Sequence, residues 1–236
     1  MTAANASLAE AVAELAAELT TLIERERSAA RNGQYEAGLR AFARLLRPLA
    51  SASATKTRRG GDSSPRLPVC RYLTASLAAG GDAASALAAP LLRLAPLFIW
   101  TQNPNYRRSP PSPSFLENYG YAVIAGPGQG APALLHDPDL AFGLLLLGPH
   151  TTYPAHRHPA SEIYVPLGPA EWLRGEEPFA EREAASVIHH PPNLAHATRS
   201  GALPLAALYL WAGDLSTYAR LVDDEADPMA AARGKV

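Results

Sequence analysis

The chain has 236 residues, of which 47% are hydrophobic, and a formal net charge of −1. That is enough apolar material for a packed core, and there is no basic field of the kind that holds nucleic acid or an anionic membrane. A single cysteine, Cys70, excludes an internal disulfide framework and a multi-cysteine zinc site.

Residues 6–50 read as helix. Leu8, Val12, Leu15, Leu19 and Leu22 recur at spacings of three and four, with Glu10, Glu14, Glu18 and Arg25 on other faces. Asn32-Gly33 marks a stop, and a second helix starts near Tyr35 with Leu39, Phe42, Leu45 and Leu46 as its stripe. Residues 51–68 form a loop rich in Ser, Gly, Arg and Pro, where Arg58 and Arg59 read as solvated charge. Helix returns at Arg71–Ala79 and again from about Ala83, where Pro90 and Pro96 are expected to kink or end it. No run is long and apolar enough to span a bilayer, because Arg93 interrupts Leu87–Trp100, and no secretion signal is visible. These features predict a cytoplasmic protein with no membrane and no nucleic-acid partner; the first helix is acidic and alanine-rich, unlike a DNA-reading helix. The apolar helices suggest a cover for the rest of the chain or a homodimer surface.

From about Trp100 the pattern changes. Short strand-like runs follow at Tyr119–Ile124, Leu140–Leu147, Glu162–Leu167, Ala170–Arg174, Ala185–His190, His196–Arg199 and Leu205–Trp211, separated by turns such as Gly126-Pro127-Gly128 and Asp137-Pro138-Asp139. Such spacing predicts a β-sandwich or barrel. The tail from Ser216 has room for one short helix. The expected division is an α-helical region over residues 1–100 and a β-barrel over 101–236.

The chemistry concentrates in His156-Arg-His158-Pro-Ala-Ser-Glu162 and in His196. Two histidines one residue apart on a strand face the same way, and Glu162 shares that parity if the strand stays regular. Three imidazoles and a carboxylate suit one divalent transition metal, and zinc, iron(II), manganese, nickel and cobalt all accept such a set. His189 and His190 are adjacent, so at most one faces the same cavity, in a supporting role. His136 and His150 read as loop residues.

Gly148, His156, His158, Glu162 and Gly168 resemble the first motif of the cupin superfamily, with a first gap two residues longer and a last gap one shorter than usual. Pro191, Asn193 and His196 resemble the second motif, with Asn193 in place of a glycine; asparagine tolerates the same left-handed backbone. The run Tyr153-Pro-Ala-His-Arg-His-Pro-Ala-Ser-Glu-Ile-Tyr164, together with Ile188–His196 and Leu208–Trp211, is similar to the cupin-type dimethylsulfoniopropionate lyases. The resemblance implies a mainly β protein, a C-terminal cupin double-stranded β-helix (jelly-roll) barrel behind an α-helical N-terminal region. It further implies a metal held by His156, His158, Glu162 and His196, and Tyr164 as the base that removes a proton beside the substrate carboxylate. Tyr153 and Trp211 are then candidates to hold the sulfonium of a small zwitterionic substrate through their ring faces, although Trp211 also suits plain core packing. Other readings of the same ligand set are a cupin dioxygenase, a sugar-phosphate isomerase and a non-catalytic ligand-binding cupin. The absence of lysine between Trp100 and Trp211 speaks against a phosphosugar.

Overall fold

In the computed structural model the described residues are 3–50 and 66–222. The loop arginines Arg58 and Arg59, and most of the tail in which a short helix was expected, lie outside them.

Four helices come first, α1 (Ala3–Ala29), α2 (Gly33–Ala50), α3 (Leu73–Ala78) and α4 (Ser85–Leu94), and a short fifth, α5 (Pro104–Arg108), follows the first strand. The predicted stripes face inward: Val12, Leu15, Leu19, Leu39, Phe42 and Leu46 are all essentially inaccessible. Asn32 does more than stop α1. Its Oδ1 accepts from the backbone N–H groups of Gln34 and Tyr35 at 2.9 and 3.1 Å, which satisfies two orphan donors at the start of α2. Arg27 then joins Glu24 to Glu36 across the bend, and Arg93 of α4 pairs with Glu14 of α1. Pro90 does not end α4. The helix runs through it with the ring buried, and Pro96 follows in a single 3-10 turn, Ala95–Leu97.

The strands are β1 (Trp100–Thr101), β2 (Tyr119–Gly126), β3 (Ala133–His136), β4 (Leu140–Leu147), β5 (Thr152–Arg157), β6 (Ser161–Pro166), β7 (Ala170–Arg174), β8 (Ala180–Arg182), β9 (Ile188–His190), β10 (His196–Arg199), β11 (Leu205–Ala212) and β12 (Arg220–Leu221). They form two sheets. One runs β1-β2-β4-β11-β6-β9, with β3 beside β2, and the other runs β12-β5-β10-β7-β8. Every pairing but β2–β3 is antiparallel. This is the cupin barrel with helices before it. Four details differ from expectation. His136 closes a strand instead of lying in a loop, β9 is three residues long, Ala185 takes a left-handed turn (φ 61°) outside β9, and Arg220–Leu221 pair with β5 as a strand.

The larger sheet carries a buried apolar cluster on each face, for different reasons. Ala206, Leu208 and Leu210 of β11 join Phe142, Leu144, Leu146, Ile163 and Val165 in one core with α1, α2 and α4. Leu205, Ala207 and Tyr209 of the same strand point the other way, into a second core with Tyr119, Tyr153, Tyr164 and Trp172. The period of two therefore assigns one set to the helix cover and the other to the barrel interior. A run such as Leu140–Leu147, continuous rather than alternating, is what a strand covered on both sides requires. Among the described residues no single helix is long and apolar enough to cross a membrane.

Candidate metal centre

The expectation that His156, His158 and Glu162 share one regular strand is corrected. β5 ends at Arg157, His158 lies in the turn after it, and Glu162 sits on β6 in the other sheet. The turn folds the three side chains together across the gap between sheets. His196 arrives from β10, where it lies directly opposite His156, and a register shift between His196 and Thr198 leaves the imidazole aimed inward. Asn193, in the position of the motif glycine, adopts φ 62° and shapes the approach to β10.

Each of the three imidazoles is held in the same way. The Nδ1–H of His156 donates to the Pro154 carbonyl at 2.8 Å, that of His158 to Ala160 at 3.1 Å and that of His196 to Leu194 at 2.8 Å. Such backbone bonds fix the tautomer and leave the Nε2 lone pair for the centre, as metal-binding histidines require. Glu162 Oε2 lies 3.0 Å from His158 Nε2 and 2.9 Å from His196 Nε2. The first is a hydrogen bond; in the second His196 Nε2 makes the close charge contact without an aligned hydrogen bond. Trp211 Nε1–H donates to the other carboxylate oxygen, Oε1, at 2.5 Å.

Burial, then the neighbouring charge of His196, pushes the His156 imidazole well below its ordinary range, which keeps it neutral. Burial opposes ionisation of Glu162, but His158 and His196 outweigh it and hold the carboxyl well below the usual carboxylate range. The donor atoms of His156, His158 and His196 lie within 4.8 Å of one another, as do those of Glu162, His190 and His196. A dry cluster of imidazoles and one carboxylate, with donor atoms converging on one point, fits a divalent metal ion.

His189 and His190 part as their parity demands. His190 faces in, opposite Glu162, with its ring stacked on His196 at 4.1 Å, its Nδ1 3.9 Å from Glu162 Oε2 and neither ring nitrogen hydrogen-bonded. His189 faces out against α2, where its Nε2 and Ser161 Oγ share a hydrogen bond at 3.0 Å and the Tyr35 and Phe42 rings pack on it. A Cβ at Gly38 would meet the His189 ring at 2.6 Å, so only glycine lets the helix come this close.

A cavity of about 330 Å³ opens beside the cluster. Of the four predicted ligands only Glu162 reaches its wall; the three histidines stand behind. Tyr164, Tyr153 and Trp211 also line it, as do Tyr119, Tyr121 and Tyr209, which the sequence reading did not single out. Their signal was the alternation Tyr119-x-Tyr121 and Tyr209-x-Trp211 within expected strands. Tyr153 stacks on His156 at 4.0 Å and donates to the Tyr106 hydroxyl at 3.3 Å. Trp211 stacks on His158 at 4.0 Å. Burial, then the charge of Glu162, raises the Tyr164 phenol well above its ordinary range.

A cupin barrel with a buried histidine–glutamate cluster next to a tyrosine-lined cavity defines a cupin with a candidate metal site. The dimethylsulfoniopropionate lyase family model matches residues 37–207, and the chain belongs to that family. It is 35% identical over 114 residues to the dimethylsulfoniopropionate lyase DddQ of Ruegeria pomeroyi, a match that covers 48% of this chain and 54% of DddQ. The chain thus spans about half the length of that curated relative. The crystal structure of DddQ from Ruegeria pomeroyi DSS-3 superposes with a TM-score of 0.62 at 26% identity, over 81% of this chain and 98% of that one. A second structure, from work on the lyases RdDddP and RnDddQII, gives a TM-score of 0.59 at 25% identity, over 78% and 98%.

Proposed function

We propose that this chain is a metal-dependent carbon–sulfur lyase that cleaves dimethylsulfoniopropionate to dimethyl sulfide and acrylate. The observation that carries the reading is the pairing of Tyr164 and Glu162 two residues apart on the inner face of β6, both on the wall of one cavity. His156, His158, Glu162 and His196 would hold the ion. When bound, a divalent cation supplies positive charge that favours a phenolate nearby and stabilises negative charge gathering on the substrate carboxylate.

Tyr164 takes the proton from the carbon next to the carboxylate. The electron pair of that C–H bond becomes the new C=C bond, and the pair of the C–S bond leaves with sulfur. Dimethyl sulfide departs neutral, so the leaving group needs no acid. The proton stays on the Tyr164 oxygen until solvent removes it. Without a cation the phenol is a poor base, because burial and Glu162 both oppose its ionisation. Metal dependence and the tyrosine base are thus one requirement. Tyr153 and Trp211 hold the rings of His156 and His158 by stacking, which fixes the ligands and excludes water from one side.

Headspace gas chromatography of dimethyl sulfide tests the reading, with metal-reconstituted protein, Tyr164→Phe and His196→Ala side by side. Dimethyl sulfide from the wild type alone is expected. A folded, metal-loaded wild type that releases none overturns it.

A further inference from the structure

The inner face of the larger sheet is laid out in rows across the strands. One row reads His190–Glu162–Trp211–Ala141 and the next Ile188–Tyr164–Tyr209–Gly143–Val123. Gly143 matters in the second row. A Cβ there would lie 2.6 Å from the Tyr209 hydroxyl and 2.7 Å from the ring carbon that bears it. Tyr209 therefore leans over the missing side chain, away from Tyr164, and its ring meets Tyr121 edge-on at 6.2 Å. Tyr119 stands next to Tyr121, at 6.4 Å between ring centres.

Tyr121 and Tyr209 line the cavity beside Val123 and Leu145, and Glu162 and Tyr164 line it too. Among the described residues Glu162 is the only charged one on its wall. Tyr153 and Trp211 each have a ring face covered by a histidine of the cluster. We propose that Tyr121 and Tyr209 form the subsite for the methylated onium group of the substrate, which the face of an electron-rich ring attracts in a desolvated cavity. The inference rests on the lyase reading of the same cavity and deepens it. The ligand class is a small zwitterion with its carboxylate toward the ion that Glu162 and the three histidines would hold, and its sulfonium or quaternary ammonium in the tyrosine corner.

Isothermal titration calorimetry of the metal-reconstituted protein tests this with two probes of one shape, 3-(trimethylammonio)propanoate and its carbon isostere 4,4-dimethylpentanoate, which keeps the carboxylate and lacks the cationic centre. The wild type is expected to prefer the cationic probe by roughly tenfold. Tyr209→Leu and Tyr121→Leu should each erase most of that preference, and Tyr209→Phe, which keeps the ring face, should retain it. Melting curves establish that each variant is folded. A wild type that prefers the cation while both leucine variants keep the full preference overturns the subsite and leaves the lyase reading standing. A wild type that binds both probes equally overturns the subsite as well. A wild type that binds neither probe overturns the subsite and the small-zwitterion reading together.

Discussion

Replacing Gly143 with alanine puts the row geometry to a quantitative test. β4 is interior to its sheet, paired to β2 on one side and β11 on the other. The new methyl group would sit 2.1 Å from the Ala122 carbonyl oxygen, where contacts under 3.0 Å essentially never occur. The strands must part by roughly 0.9 Å in an interior packed like a crystal. Such overpacking costs about 1–3 kcal/mol, against a gain of about 0.5–1 kcal/mol from removing a flexible glycine. The net expectation is a loss of about 1–2 kcal/mol, which for a chain of this size is a fall of roughly 2–8 °C in Tm. The Tyr209 hydroxyl, 2.6 Å from the same methyl, must swing back toward Tyr164 and narrow the cavity. Urea unfolding monitored by far-UV circular dichroism gives the stability term, and KM for dimethylsulfoniopropionate gives the functional one. A Gly143→Ala protein within about 0.5 kcal/mol of wild type and with unchanged KM would refute the argument that this glycine makes room for Tyr209.

Further outcomes follow from the same geometry. Tyr164→Phe should lower kcat by roughly 10²–10⁴-fold while metal content stays that of the wild type, as measured by atomic absorption; an active phenylalanine variant removes the base. Chelation should abolish activity and lower Tm, and an ion at a hundred times its Kd should restore about 2.7 kcal/mol; a chelator-treated protein with unchanged melting has no structural ion at this cluster. His189 is buried, and desolvation followed by Arg174 lowers it to about 4. Its unfolded value is about 6.5, so the unfolded chain takes up the proton first as pH falls. The resulting penalty is absent above about pH 6.5 and grows to about 3 kcal/mol near pH 4. His189→Gln should flatten the stability-against-pH curve of the metal-free protein in that window, and identical slopes in both proteins would refute the assignment.

Much of the site was legible because its chemistry is local in the chain. His156, His158, Glu162 and His196 could be picked out as a set by residue type and spacing, and the helix stripes and alternating strands by period. The left-handed Asn193 was readable too, since few residues accept that backbone. What stayed hidden was whatever depends on which strand lies beside which. The sequence suggested one regular strand from His156 to Glu162, whereas a turn after β5 places them on opposite sheets. Parity separated His189 from His190, but only the neighbours of β9 decide that His190 meets Glu162 and His189 meets α2. Tyr209 and Gly143 are far apart in sequence and become partners through the β4–β11 register alone. Residue type and spacing thus singled out the candidate donors and a β-sandwich or barrel, because ligand chemistry and side-chain period are short-range properties. Tertiary structure decided the cavity, because a wall made of five strands exists only once their register is set.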